Sequence, residues 1–136
     1  MDTTQACSKY EMYLYKAINQ PTNNEMKHII QNGRIKWPDL RAIIPSTIQS
    51  NWNPIDSRYN AGFKYEWSDN RGAKHHIHGH SRDLMAPIGS HSYNEWTVSI
   101  RVRNKWLTTH ATFIRNVKHY ANDIHIPLDN YTCTNE

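Results

Sequence analysis

The sequence predicts an α+β domain, with N-terminal helices followed by an antiparallel sheet of about four strands that leaves one face open. Three observations carry that expectation. Apolar residues recur at helical spacing along the first part of the chain, as far as Pro54. From Phe63 the period changes to strict apolar–polar alternation. Between the alternating runs lie clusters of Asp, Asn, Gly and Ser, which supply turn chemistry. Helices in one half and strands in the other, within 136 residues and without repeats or linkers, describe a single domain over residues 1–136.

The elements follow in order. From Thr3 or Thr4 to Asn19, Met12, Leu14, Tyr15 and Ile18 mark a first helix that stops before Pro21. Thr22 with Glu25 three residues later is a capping box for a second helix through Met26, Ile29 and Ile30, closed by Asn32-Gly33. Trp37-Pro38-Asp39-Leu40 opens a third, broken segment that contains Pro45 and ends at Trp52-Asn53-Pro54. Phe63-Lys64-Tyr65-Glu66-Trp67 is the first strand, and Ser68 to Gly72 is its turn. A histidine-rich second strand ends at His80, and a loop runs from Ser81 to Asn94. Trp96 to Arg103 is the cleanest alternation, Asn104-Lys105 a tight turn, and Trp106 to about Phe113 a fourth strand. A last strand or short helix is expected around Val117 to Leu128.

Composition narrows the function classes modestly. Hydrophobic residues make up 38%, so five Trp and eight Tyr must carry much of the core or stack on bases. A formal net charge of +4 favours an anionic partner but is matched by many ordinary proteins. No run approaches the roughly 18 apolar residues of a membrane-spanning helix, and no signal peptide is legible. Cys7 and Cys133 leave a disulfide open, and no Cys/His spacing suits a structural zinc.

The histidine tract carries the chemistry. Four of the nine histidines fall between His75 and His80. In a strand, His76, His78 and His80 share one face while His75 and Ile77 share the other. Pairing the strands through Asn104-Lys105 sets Arg103 opposite Trp106, Arg101 opposite Thr108 and Ser99 opposite His110. The earlier hairpin sets Phe63 opposite Ile77 and Tyr65 opposite His75. One face of the sheet then gathers Lys64, Glu66, His76, His78, His80, Ser99, Arg101, Arg103 and His110.

Such a set suits metal-independent cleavage of an RNA phosphodiester. Glu or a neutral His accepts the 2′-hydroxyl proton, a protonated His gives one to the leaving 5′-oxygen, and Arg or Lys holds the phosphate. His78 and His80 are the expected acid and base pair in either order, Arg101 the phosphate ligand, with Glu66, His76 and His110 in support. Two other readings stay open. His78, His80 and Asp83 could ligate a metal in a metal-dependent nuclease, or the His and Trp side chains could contact RNA or a protein without catalysis.

The string His-Gly-His-Ser-Arg-Asp (His78 to Asp83), then Ala86-Pro87-Ile88-Gly89-Ser90, Trp96 and the Arg101/Arg103 strand, resembles the polymorphic toxin type 30 domain. The resemblance covers about the second half of the chain. Such domains are the C-terminal tips of bacterial contact-dependent and Rhs-type toxins. The likeness implies a ribonuclease of the barnase/EndoU/colicin-like group, without a cofactor, acting on RNA (tRNA being the preferred guess) in the cytoplasm of a target cell after secretion as the tip of a larger toxin. It also implies a cognate, acidic immunity protein. Carried over by position, the candidates are His78, His80, Asp83 and Ser90 in the motif, with Arg101 on the neighbouring strand. Lys64, Ser99 and Arg103 of the open face, with Ser90, are the expected substrate-binding residues.

Overall fold

The computed structural model describes residues 22–53 and 59–132. The expected first helix, Cys7 and Cys133 lie outside the described residues. The elements are α1 (Asn23–His28), β1 (Ile35–Lys36), α2 (Trp37–Ile43), β2 (Gly62–Ser68), β3 (Lys74–His80), α3 (His91–Asn94), β4 (Thr97–Val102), β5 (Lys105–Leu107), β6 (Phe113–Ile114), α4 (Ala121–Ile124) and β7 (Ile126–Asp129). The class is α+β, as the sequence predicts. The details differ: among the described residues there are seven strands, the sheet is mixed, and short helices are interspersed with strands.

Local chemistry accounts for the helices. Thr22 Oγ1 accepts the Glu25 amide while Glu25 Oε1 accepts the Thr22 amide, which is the capping box foreseen for α1. Pro38 starts α2, where its missing N–H is harmless. The two bury Met26, Trp37, Leu40 and Ile43 against the sheet. At the core centre the Phe63 ring lies near Trp37 (5.1 Å between centroids) and Tyr131 (5.3 Å).

The strand order is β1-β7-β4-β3-β2, with β5 and β6 added beside β4. β1 and β7 run parallel, and the other pairs are antiparallel. Both expected hairpins form, each displaced by two residues. Tyr65 faces Ile77 and Trp67 faces His75, where the sequence reading had Tyr65 opposite His75. Arg101 faces Trp106 and Val102 faces Lys105, so the turn is Arg103-Asn104 rather than Asn104-Lys105. A slip of two keeps every side chain on its own face, so hydrophobic alternation cannot detect it.

The fourth strand is a larger correction. It stops at Leu107, and the chain turns through Thr108–Thr112, whose hydroxyls lie 2.8 Å apart, before β6. Ala111 adopts φ 60° in that turn. β7 instead takes the place beside the start of β4, pairing Ile126 with Val98 and Pro127 with Thr97. The expected strand or helix near the C-terminus is therefore both, α4 and then β7. Arg34 fastens this region, with Nε on Asp129 Oδ2 at 3.0 Å and NH1 on Glu95 Oε2 at 3.2 Å.

Candidate active site

The alternation of β2, β3 and β4 puts Phe63, Tyr65, Trp67, His75, Ile77, Val98, Ile100 and Val102 on the helix side. The opposite face carries three cross-strand rows. Gly62, His80 and Thr97 form one, Lys64, His78 and Ser99 the next, and Glu66, His76, Arg101 and Trp106 the third.

The first row is covered. His80 is 3% exposed and Thr97 is fully buried. The Tyr59 ring stacks on His80 at 3.8 Å, and His80 Nδ1–H donates to Ser81 O at 2.7 Å. A Cβ on Gly62 would meet the Trp52 indole, which also packs over this end. The loop after β3 closes in as well, since Ser92 Oγ lies 3.3 Å from Thr97 Oγ1.

The other two rows form an open trough. Glu66 is exposed, and Lys64, His76, His78, Ser99 and Arg101 are partly so. Glu66 Oε2 is 3.3 Å from His76 Nδ1, and an Arg101 guanidinium nitrogen is 3.4 Å from the same Nδ1. These two contacts demand opposite protonation. Guanidinium only donates, so Arg101 needs a bare Nδ1, whereas Glu66 needs a protonated one. Asn51 Nδ2 donates to Glu66 Oε1 at 3.2 Å, and that bond leads the causes holding Glu66 below the usual carboxylate range. Arg101 lies over Trp106 at 5.3 Å, which fixes its plane while leaving its N–H groups available.

Burial lowers the pKa of His76, against the opposing pull of Glu66. Burial and then the neighbouring His80, Lys64, His76 and His125 lower His78 further, to about 4. His78 is therefore a neutral imidazole at pH 7. A group whose folded pKa lies below its unfolded value of 6.5 binds its proton more readily unfolded, so stability falls as pH drops from 6.5 to about 4. Asp69 continues the decline at lower pH. His75 Nε2–H donates to its Oδ2 at 2.8 Å, and its pKa is lowered from 3.8 to about 2, so that contribution is lost between those values. Urea midpoints across this range should fall in both windows. His78→Gln should flatten the upper one and Asp69→Asn the lower one.

The remaining expected residues lie elsewhere. Asp83 is 4% exposed and its Oδ1 accepts the Met85 amide, which organises the loop after β3. Ser90 caps α3 by accepting the Tyr93 amide at 3.3 Å. Ser99 Oγ donates to His78 O at 3.5 Å. Arg103 sits in the β4–β5 turn with φ 57°, and His110 is exposed in the turn after β5 instead of facing Ser99. Among the described residues no three His, Cys, Asp or Glu side chains converge on a metal-ligand position, the set His78, His80 and Asp83 included.

Sequence reasoning missed His125, Tyr59 and Asn51. His125 precedes β7, its ring is 6.1 Å from His80, and its Nδ1–H donates to Ala121 O. It arrives only through the long-range pairing of β7 with β4, for which no local pattern exists. Trp106 was foreseen on this face, but opposite Arg103.

Neither among curated proteins nor among solved structures does any significant match occur. Residues 39–135 match the bacterial toxin 30 family, a stretch that begins inside α2 and contains the whole open face and every strand but β1. The chain belongs to that family of polymorphic toxin domains.

Proposed function

We propose that this domain is an endoribonuclease that cuts RNA without a metal, by transphosphorylation in the open trough. The observation that carries the reading is the row Glu66–His76–Arg101 beside the neutral His78. A carboxylate and a guanidinium compete there for one imidazole nitrogen. A phosphate drawn to Arg101 would free Nδ1 for Glu66 and so favour the imidazolium.

In this reading His78 takes the 2′-hydroxyl proton, and the 2′-oxygen attacks phosphorus. His76, protonated and held by Glu66, gives its Nε2 proton to the departing 5′-oxygen. Arg101 and Lys64 offset the charge on the phosphoryl oxygens. The products are a 2′,3′-cyclic phosphate and a 5′-hydroxyl. His80, under Tyr59, supports His78 instead of touching substrate. The sequence expectation of a His78/His80 pair is thus replaced by His76/His78, because those two imidazoles reach the open face.

The family implies a cognate immunity protein and delivery into target cells. The +4 charge favours an acidic immunity partner. No helix among the described residues is long and apolar enough to cross a membrane.

The test is digestion of total RNA by the whole chain, with and without excess EDTA, followed by analysis of product 3′ ends. Cleavage that survives EDTA and leaves cyclic phosphate is the expected result. Cleavage abolished by EDTA and restored by a divalent ion would transfer the histidines to a metal mechanism. Absence of any cleavage would leave RNA or protein binding as the role of the face.

A further inference from the structure

A second basic feature lies at the turn end of the sheet. Between the β2–β3 turn, the β4–β5 turn and the start of α1 is a cleft of about 490 Å³. Arg71, Arg103, Lys105 and Arg115 line it, from three separate stretches of chain. Arg71, Arg103 and Arg115 are exposed and Lys105 partly so. The one carboxylate in the lining, Asp69, is already engaged: Oδ1 accepts the Arg71 and Ala73 amides at 2.8 and 2.9 Å, and Oδ2 accepts from His75. No ion pair joins any of the four cations to a carboxylate of the described residues. Gathering four like charges in one concavity opposes folding unless an anion takes them up.

We infer that this cleft binds backbone phosphates of the RNA strand, away from the bond that is cut. The inference rests on RNA being the substrate. Arg103 is two residues beyond Arg101, in the turn that ends β4, and its amide donates to Lys74 O at 2.8 Å. Ala73 and Val102 in the cleft lining face the helix side, so a strand lying over Glu66–His76–Arg101 reaches the cleft by passing round this turn end of the sheet. Arginine forks suit carboxylate and phosphate alike, so phosphate is favoured by place: four cations in one concavity next to the proposed reaction site match the regularly spaced charge of the strand lying there. Contacts of this kind add affinity without reading sequence.

The experiment separates binding from cutting. The triple variant Arg71→Gln/Lys105→Gln/Arg115→Gln alters only side chains at least partly exposed, and a melting curve checks its fold. Its affinity for fluorescein-labelled poly(U) is measured in the His76→Ala/His78→Ala background over a range of salt, and turnover of a uridine dinucleotide in the native background. Expected are a loss of affinity of on the order of tenfold and a salt slope smaller by about two, at about 0.7 per cation on a single strand. Dinucleotide turnover should not change, since that substrate is too short to reach the cleft. Replacement of the two arginines by lysine should retain most of the affinity, because the charge stays. Unchanged poly(U) affinity and slope would overturn the inference. So would loss of poly(L-glutamate) binding with poly(U) binding intact, which would assign the cleft to an acidic protein, or a fall in dinucleotide turnover, which would make it part of the reaction site. If the native chain cuts no RNA yet binds poly(U) through these cations, the nuclease reading fails, and what stands is phosphate binding by the cleft, with no cut bond to place it against.

Discussion

His76→Ala is expected to cut RNA about 10²- to 10⁴-fold more slowly than the native chain, the usual contribution of one positioned acid or base. His78→Ala should fall in the same range. The pair act in one step, so the double variant should lose less than the product of the two. The native pH profile of kcat/KM gives a sharper reading. Its acid limb reports protonation of the base His78, whose pKa is about 4. Its alkaline limb reports loss of the proton from His76, whose pKa lies below 6.5. Activity on long or short RNA should therefore peak on the acid side of neutrality and fall toward pH 7 and above. Glu66 pulls the His76 pKa up and Arg101 pushes it down. Glu66→Gln should accordingly move the alkaline limb to lower pH. Arg101→Gln should move it to higher pH while weakening substrate binding. A profile flat from pH 5 to pH 8, or limbs that ignore both substitutions, would dismiss this assignment.

Phe63→Ala should lower stability by about 3–5 kcal/mol, and Gly79→Ala by about 1–3 kcal/mol. The two residues are cross-strand partners on β2 and β3. A Cβ built on Gly79 falls into the Phe63 ring, so the glycine is the floor on which the core's central aromatic rests. Phe63 in turn contacts Trp37, Tyr65, Trp96 and Tyr131. Removing the ring makes room for the methyl group, so the double variant should be more stable than the sum of the single losses implies. Denaturant midpoints of the four proteins would measure that coupling. Simple additivity would mean that the ring and the glycine do not depend on each other.

Much of this was legible locally. The capping box at Thr22 and Glu25, the proline that opens α2, and the period-two patterns of β2 to β4 each act within a few residues, and each forms as read. The polar face followed from alternation alone, because the side-chain period of a strand decides which residues share a side. That is why Lys64, Glu66, His76, His78, Ser99 and Arg101 come together despite a register displaced by two.

What alternation could not supply was anything unchanged by a slip of two or brought in from a distance. Whether Arg101 meets Trp106 or Thr108 depends on which residues form the turn, and here Arg103 takes the positive φ. Whether His110 or His125 approaches β4 depends on β7, which begins at Ile126, well after the hairpin ends at Leu107, claiming the edge beside Thr97 and Val98. Burial is equally collective. His78 and His80 are alike in sequence, yet Tyr59, Trp52 and the loop after β3 cover one and leave the other half open. The sequence by itself determined the class of fold, the two faces and the stock of acids, bases and cations. Only the tertiary structure decided which of those groups meet water, because covering a side chain takes partners from several parts of the chain at once.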